Sequence, residues 1–368
     1  MTGVWAPSAT ERARDDLPPL TRPLTALRSG DRPSVGGKAA GLGELTAAGL
    51  PVPAGFAVTT AAFGHALHAL DPDGSISREV GRLPAADDAA IGEVSAQVRG
   101  RILGAPLPAR LRDEIAAGYD ALAGRADTPP VAVRSSATSE DSAGASFAGL
   151  QDSYLWVTGA GAVADHVRRC WASLYSVESV TYRRHQGISE DGLAMGVVVQ
   201  VMVDPRCAGV LFTRSPVTGD ASVIVVEASW GLGSAIVSGE VTPDTYVVSK
   251  VTGEIVKRAV ATKLRHHQRD PRAPGVCLRD VPPPLRDVPC LDDAEIRALA
   301  DLGCRVSDHY GTPQDIEWAI PAGSARQQIV LLQSRPETVW SGRAAGPAVK
   351  PKARAYDHVL DWLSRTSP

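Results

Sequence analysis

Apolar positions along the first half of the chain recur mostly at helical spacing, and in the second half they gather into short β-branched runs. Ala39–Ala48 reads as a helix from its Leu42/Leu45 spacing, closed by Gly49, a residue suited to a left-handed C-cap. Pro51 and Pro53 then force an extended chain into a strand at Phe56, Ala57 and Val58. Val131, Ala132 and Val133 form another short strand after Pro129 and Pro130.

From Met195 the texture changes. The continuous run Val197–Val203 is followed by Gly209–Phe212, Val223–Val226, Tyr246–Val248 and Ile329–Leu332, with turn residues between them. Such runs predict a mixed or antiparallel sheet that forms a second lobe. Arg265–Pro289, rich in Pro, Arg and Asp, reads as an irregular connection, and Ala294–Tyr310 resumes a helical pattern. The expected organisation is a disordered tail over 1–20, a first lobe over 21–191, a β-rich second lobe over 192–338, and a linker with a short helix over 339–368. That terminal helix is predicted from Tyr356, Val359, Leu360 and Leu363, which lie at i, i+3, i+4 and i+7.

Composition narrows the classes. With 44% apolar and 21% charged residues over 368 positions, the chain can bury a sizeable core. Its net charge of -3 gives no global basic field for nucleic acid or an anionic membrane. The 5 cysteines are scattered without CxxC spacing, as expected of reduced thiols rather than a disulfide framework or zinc site. No apolar core of signal-peptide length opens the chain and no run reaches the ~18 apolar residues of a membrane span, so a cytoplasmic protein is expected.

Three clusters carry candidate chemistry. Gly36-Gly37-Lys38 precedes a helix: the glycines permit close backbone approach, the helix start offers free N–H groups, and the lysine adds positive charge, a combination suited to polyphosphate. An ordinary surface lysine at a helix start would look the same. Arg134 leaves the Val131–Val133 strand into a run of hydroxyl and small residues, Ser135 to Gly149, where its forked donors suit phosphate oxygens; pairing with a carboxylate is the alternative. In the third cluster, Asp315 and Glu317 share one face of a strand, as do Gln333 and Arg335. Paired strands would bring hard oxygen ligands for magnesium beside a guanidinium for phosphate. A cross-strand ion pair between Glu317 and Arg335 is the structural alternative.

These clusters occur in one order with Ser146-Phe147-Ala148-Gly149, Gly209-Val210-Leu211-Phe212-Thr213, Gly231-Leu232-Gly233 and Gln333-Ser334-Arg335-Pro336. The arrangement resembles the nucleotide-binding domain of the phosphoenolpyruvate synthase, pyruvate phosphate dikinase and rifampin phosphotransferase family. The resemblance covers roughly Thr21 to Thr338. It implies an α/β (α+β) ATP-grasp-like fold of two lobes with ATP between them. Lys38 and Arg134 would contact phosphates, Glu317 and Gln333 would hold Mg2+, and Asp315 and Arg335 would stand beside them. Lys38, Arg134 and Arg335 would be the catalytic cations. Gln200, Val201 and Met202 would run along the adenine, although ordinary core packing also accounts for Met202.

Two departures from the family pattern stand out. Ser234 follows Gly231-Leu232-Gly233 where relatives usually carry Glu, and Glu178 stands where an arginine is expected. Relatives also carry the phosphoryl group on a histidine within a Thr-Gly-Gly…His-type motif, and none of the 8 histidines here has that context. The adjacent His266 and His267 read as a solvated pair. The resemblance therefore implies an ATP-binding subunit that needs a separate histidine-bearing partner, gives AMP, and serves a small acceptor the sequence does not identify. Two other classes are a nucleotide-sensing regulatory subunit without turnover and an enzyme fragment that binds little.

Overall fold

A computed structural model describes residues 18–124, 129–138, 141–142, 145–146, 152–272, 275–323 and 328–341, with the backbone alone at 141–142 and 145–146. The predicted terminal helix, most of Ser146–Gly149 and most of the predicted tail lie outside the described residues.

The first sheet has five antiparallel strands in the order β1-β2-β7-β3-β6, from β1 (Thr21–Pro23), β2 (Gly55–Val58), β3 (Val131–Ala137), β6 (Ser153–Val157) and β7 (Met195–Val201). A two-residue ladder, β4 (Asp141–Ser142) with β5 (Ala145–Ser146), follows β3. Strand alternation sorts the sheet's side chains. Phe56, Val58, Val131, Val133, Val197 and Val199 face one core, whereas Ala57 and Val198 face another. Helices α2 (Thr60–Leu70), α3 (Ser75–Gly81), α4 (Asp88–Gly104), α5 (Ala109–Asp120), α6 (Ala160–Ser173) and α7 (Val177–Gln186) supply the first core through residues such as Phe63, Ile115, Val167 and Trp171. Helix α1 (Arg32–Ala47) supplies the second through Val35, Ala39 and Leu42. Burial on both faces explains why Met195–Val201 is a continuous apolar run instead of an alternating one. It also corrects the expected division of the chain. This strand, expected to open the second lobe, is a central strand of the first.

The second sheet is antiparallel throughout, in the order β11-β10-β9-β8-β14-β15. Its strands are β8 (Pro205–Phe212), β9 (Val223–Trp230), β10 (Asp244–Ser249), β11 (Ile255–Ala259), β14 (Gln314–Pro321) and β15 (Val330–Pro336). Leu211, Val226, Tyr246, Ile316 and Trp318 share a core with Ile296, Leu299, Leu302 and Val306 of α9 (Asp293–Tyr310). An Asp292/Glu295 capping box starts α9 and left-handed Gly311 ends it. The opposite face, with Val210, Glu227 and Glu317 in one register row, looks toward the first lobe.

A four-residue helix α8 (Ser234–Val237) follows β9. Arg265–Pro289 is not the irregular connection expected: it contains an antiparallel hairpin of β12 (Arg265–Arg269) and β13 (Val276–Asp280) and a 3-10 turn at Pro283–Leu285. Among the described residues no helix is long and apolar enough to cross a membrane, and the cysteines are unpaired.

Candidate functional site

Strand β3 presents Ala132, Arg134 and Ser136 on the face that looks toward the second lobe. From there Arg134 reaches across the cleft. Its Nη2 donates to Glu317 Oε2 at 3.0 Å and to Gln333 Oε1 at 2.7 Å, and its Nη1 donates to the Leu332 carbonyl at 2.9 Å. The third bond depends on a bulge. Glu317 pairs with Gln333 but Trp318 pairs with Leu331, which leaves Leu332 without a ladder partner. Pairing of Arg134 with a carboxylate, one of the two sequence readings, is thus the arrangement in this structure, and it joins the two lobes.

Lys38 stands two positions beyond a break in α1. At Gly36 the backbone turns to φ 80°, ψ 170°, and a Cβ there would lie 1.8 Å from the Ser136 carbonyl oxygen. Only glycine fits. Gly196 of β7 is equally confined, since a Cβ would stand 2.2 Å from the Val35 carbonyl oxygen. Ser136 Oγ accepts from the Ala39 N–H at 3.1 Å, satisfying a donor in the first turn after the break. The half-buried Lys38 is thereby carried in the first turn after a break that is clamped to β3. The helix begins earlier than its Leu42/Leu45 spacing implied, because the break is absorbed within it.

Asp315 pairs in register with Arg335, with Arg335 Nε 3.4 Å from Asp315 Oδ2. The cross-strand ion pair therefore forms at Asp315, two residues from the Glu317 that sequence left open as the partner of Arg335. Asp315 Oδ1 is buried without a hydrogen-bond partner. Burial pushes this carboxyl up to about 6, against the opposing pull of Arg335. Glu317 and Gln333 aim their oxygens at a single cationic nitrogen, and a partnerless carboxylate oxygen lies on the neighbouring pair of positions. That donor set fits magnesium, which takes hard oxygen ligands. Among the described residues no three His, Cys, Asp or Glu side chains gather as a metal group. A cation here would complete its shell from substrate, as magnesium does on nucleotides.

Between the lobes lies a cavity of about 410 Å³, the size of a small-molecule site. Arg134 and Glu317 line it, and so do Gln200, Val201 and Met202 at the crossing from β7 to β8. The Gln200 side chain donates to the Pro53 carbonyl at 3.2 Å. The N–H groups of Val201 and Met202 are already bonded to the carbonyls of Ala54 and Pro130. Ser234 also lines the cavity, whereas Glu178 is exposed in the first turn of α7, where an acid complements the helix dipole, and is not among the lining residues.

Two features escaped the sequence reading. Glu227, half-buried in the cleft-facing row with Val210 and Glu317, has its carboxyl pushed up by burial. Its signal was a carboxylate directly after the apolar run Val223–Val226, within the same strand. The two histidines of β12 are not a solvated pair. His266 is half-buried, and burial, with His267 and Arg279 adding to it, holds its pKa down. His267 is bonded to Ser234 Oγ at 2.8 Å through Nδ1 and to Glu240 Oε2 at 3.2 Å through Nε2.

Residues 32–355 match the family described as pyruvate phosphate dikinase, AMP/ATP-binding domain. The chain is 44% identical over 306 residues to a probable phosphoenolpyruvate synthase of Methanothermobacter thermautotrophicus, covering 82% of this chain and 44% of that protein. It is 43% identical over 308 residues to a rifampicin phosphotransferase of a Streptomyces species, covering 83% of this chain and 34% of that protein. A phosphoenolpyruvate synthase of Aeropyrum pernix is 39% identical over 346 residues, which is 87% of this chain and 42% of that protein. The chain thus spans less than half the length of these relatives.

Proposed function

Because the chain belongs to the pyruvate phosphate dikinase AMP/ATP-binding domain family, we propose that it is the ATP-binding component of a dikinase-type phosphotransferase. In this reading the β- and γ-phosphoryl groups of Mg-ATP leave together onto a histidine on a separate protein, so that AMP is the nucleotide product. The outer group is then released to water as orthophosphate, and the remaining one is delivered to a small acceptor. The observation that carries the reading is the meeting of Arg134, Glu317 and Gln333 from two lobes at one edge of a nucleotide-sized cavity.

The chain's own residues suggest how the site works. Val201 and Met202 offer an apolar wall to the base, and with their N–H groups engaged, the adenine edge is read from the Met202 carbonyl onward. Lys38, Arg134 and Arg335 neutralise the phosphate chain, and a phosphate oxygen competes with Glu317 for the Arg134 guanidinium. Glu317 and Gln333 would hold magnesium, with Asp315 beside them, and the chemistry it would supply is neutralisation of phosphoryl charge. Positioning and charge neutralisation are most of what such a transfer requires.

Calorimetry with ATP is the direct test. Magnesium-dependent binding that weakens in Glu317→Ala is expected, and binding indifferent to the metal would sink the proposal. A nucleotide sensor without turnover is the second reading, favoured by Ser234 on the cavity wall, where relatives usually carry a carboxylate. AMP formation with a candidate histidine-bearing partner separates the two readings.

A further inference from the structure

The cavity has three kinds of wall. One edge carries Arg134 and Glu317, groups for a charged end. Leu155, Val201, Met202 and Val203 make an apolar wall, and Ser234 and Ser238 give the remaining side hydroxyl groups. A nucleotide has three matching parts: a polyanion, a flat apolar ring and a polyol sugar.

Ser234 is not a free hydroxyl. Its Oγ lies 2.8 Å from His267 Nδ1, and His267 Nε2 lies 3.2 Å from Glu240 Oε2. An ionised carboxylate only accepts, so in the neutral imidazole Nε2 carries the proton and Nδ1 the lone pair. Nδ1 then accepts the Ser234 proton, and Ser234 Oγ has only lone pairs left to offer the cavity.

The strand that carries His267 is fixed at two points, its middle and its end. The Leu232 N–H donates to the His267 carbonyl at 2.9 Å. Gly231, at φ 70°, would place a Cβ 2.3 Å from that same carbonyl oxygen, so the approach requires glycine. At the end of β12, the Arg269 guanidinium stacks 5.2 Å above the Trp156 ring of the first lobe. The relay therefore sits on a strand anchored to both lobes rather than on a loose connection.

We infer that Ser234, oriented by His267 and Glu240, accepts a hydrogen bond from a ribose hydroxyl of the bound nucleotide and sets the preference for ribonucleotides. Ser234 is the contact, and His267 and Glu240 are positioning residues that hold it as an acceptor. The inference rests on the nucleotide-binding reading above.

The test is calorimetric binding of ATP, 2′-deoxy-ATP and 3′-deoxy-ATP to the full chain. Wild type should bind one of the deoxy analogues about three- to tenfold more weakly than ATP, the effect of one neutral hydrogen bond. Ser234→Ala should lower ATP affinity by that factor and erase the preference. His267→Ala should erase it too, whereas His267→Asn, whose amide oxygen replaces the Nδ1 acceptor, should retain part of it. A preference ratio unaffected by misfolding is the readout that a merely structural role would not move. Equal affinity of wild type for all three nucleotides, or a wild-type ratio in Ser234→Ala or His267→Ala, would overturn the inference while leaving nucleotide binding intact. Failure of wild type to bind ATP would overturn the nucleotide reading, and this inference with it.

Discussion

Arg134 serves three acceptors of the opposite lobe, so its loss leaves Glu317, Gln333 and the Leu332 carbonyl short of a donor. Urea unfolding of Arg134→Ala should show a loss of roughly 1–3 kcal/mol, and its ATP affinity should fall by about two orders of magnitude. Arg134→Lys should recover little of either, because one ammonium cannot reproduce a fork. Glu227 gives a pH prediction of defined sign. Its carboxyl is raised in the folded state, so its contribution to stability is fully present below the unfolded pKa and is lost as pH rises through the folded one. Glu227→Gln should therefore match wild type near pH 4 and exceed it at pH 7.5 in urea midpoints; a constant gap across that range would refute the assignment. At this scale, strand periodicity made Asp315, Glu317, Gln333 and Arg335 legible as one face. It could not say which acid meets which base, because pairing depends on register and on a bulge at Leu332 that no residue type announces.

Glycine 36 marks where element geometry meets chemistry. Gly36→Ala combines a left-handed φ with a clash against the Ser136 backbone, so α1 must shift away from β3. A stability loss of about 2 kcal/mol or more is expected, together with weakened ATP binding as Lys38 moves, while Gly49→Ala, which meets nothing within 4 Å, should cost less than Gly36→Ala. Thermal melts of the two variants make the comparison. Elements with strong periodicity, such as α9 and the β-branched strands, were readable in the sequence. The β12–β13 hairpin was not, because Arg265-His266-His267-Gln268-Arg269 contains no Val, Ile, Thr, Phe, Tyr or Trp. Its strands arise from pairing with each other and from the bond between Leu232 and His267. The run Val197–Val203 was readable as a strand, yet the membership of the observed strand Met195–Val201 in the first sheet was not, because an apolar run records burial on two faces without naming the neighbours.

For the molecule as a whole, the proposed division of labour predicts what the chain does alone. Incubation with labelled ATP should leave no acid-labile, base-stable label on it, because none of its histidines stands in a carrier motif. Stoichiometric phosphohistidine on this chain would refute the split arrangement. Addition of a competent histidine-bearing protein should bring AMP formation, and Arg335→Ala should slow it by lowering the positive charge around the phosphates.

Helix α1 has a consequence for how the protein melts. Its Val35, Ala39 and Leu42 belong to the core under the first sheet, while Leu45 belongs to the core of the second. Gly41 and Glu44 add bonds to Tyr310 and His309. One lobe cannot come apart without stripping a flank of the helix that the other requires, so the two sheets share a single cooperative unit. Calorimetry should accordingly show one endotherm whose van't Hoff and calorimetric enthalpies agree, displaced upward as a whole by any ligand that seats in the cleft.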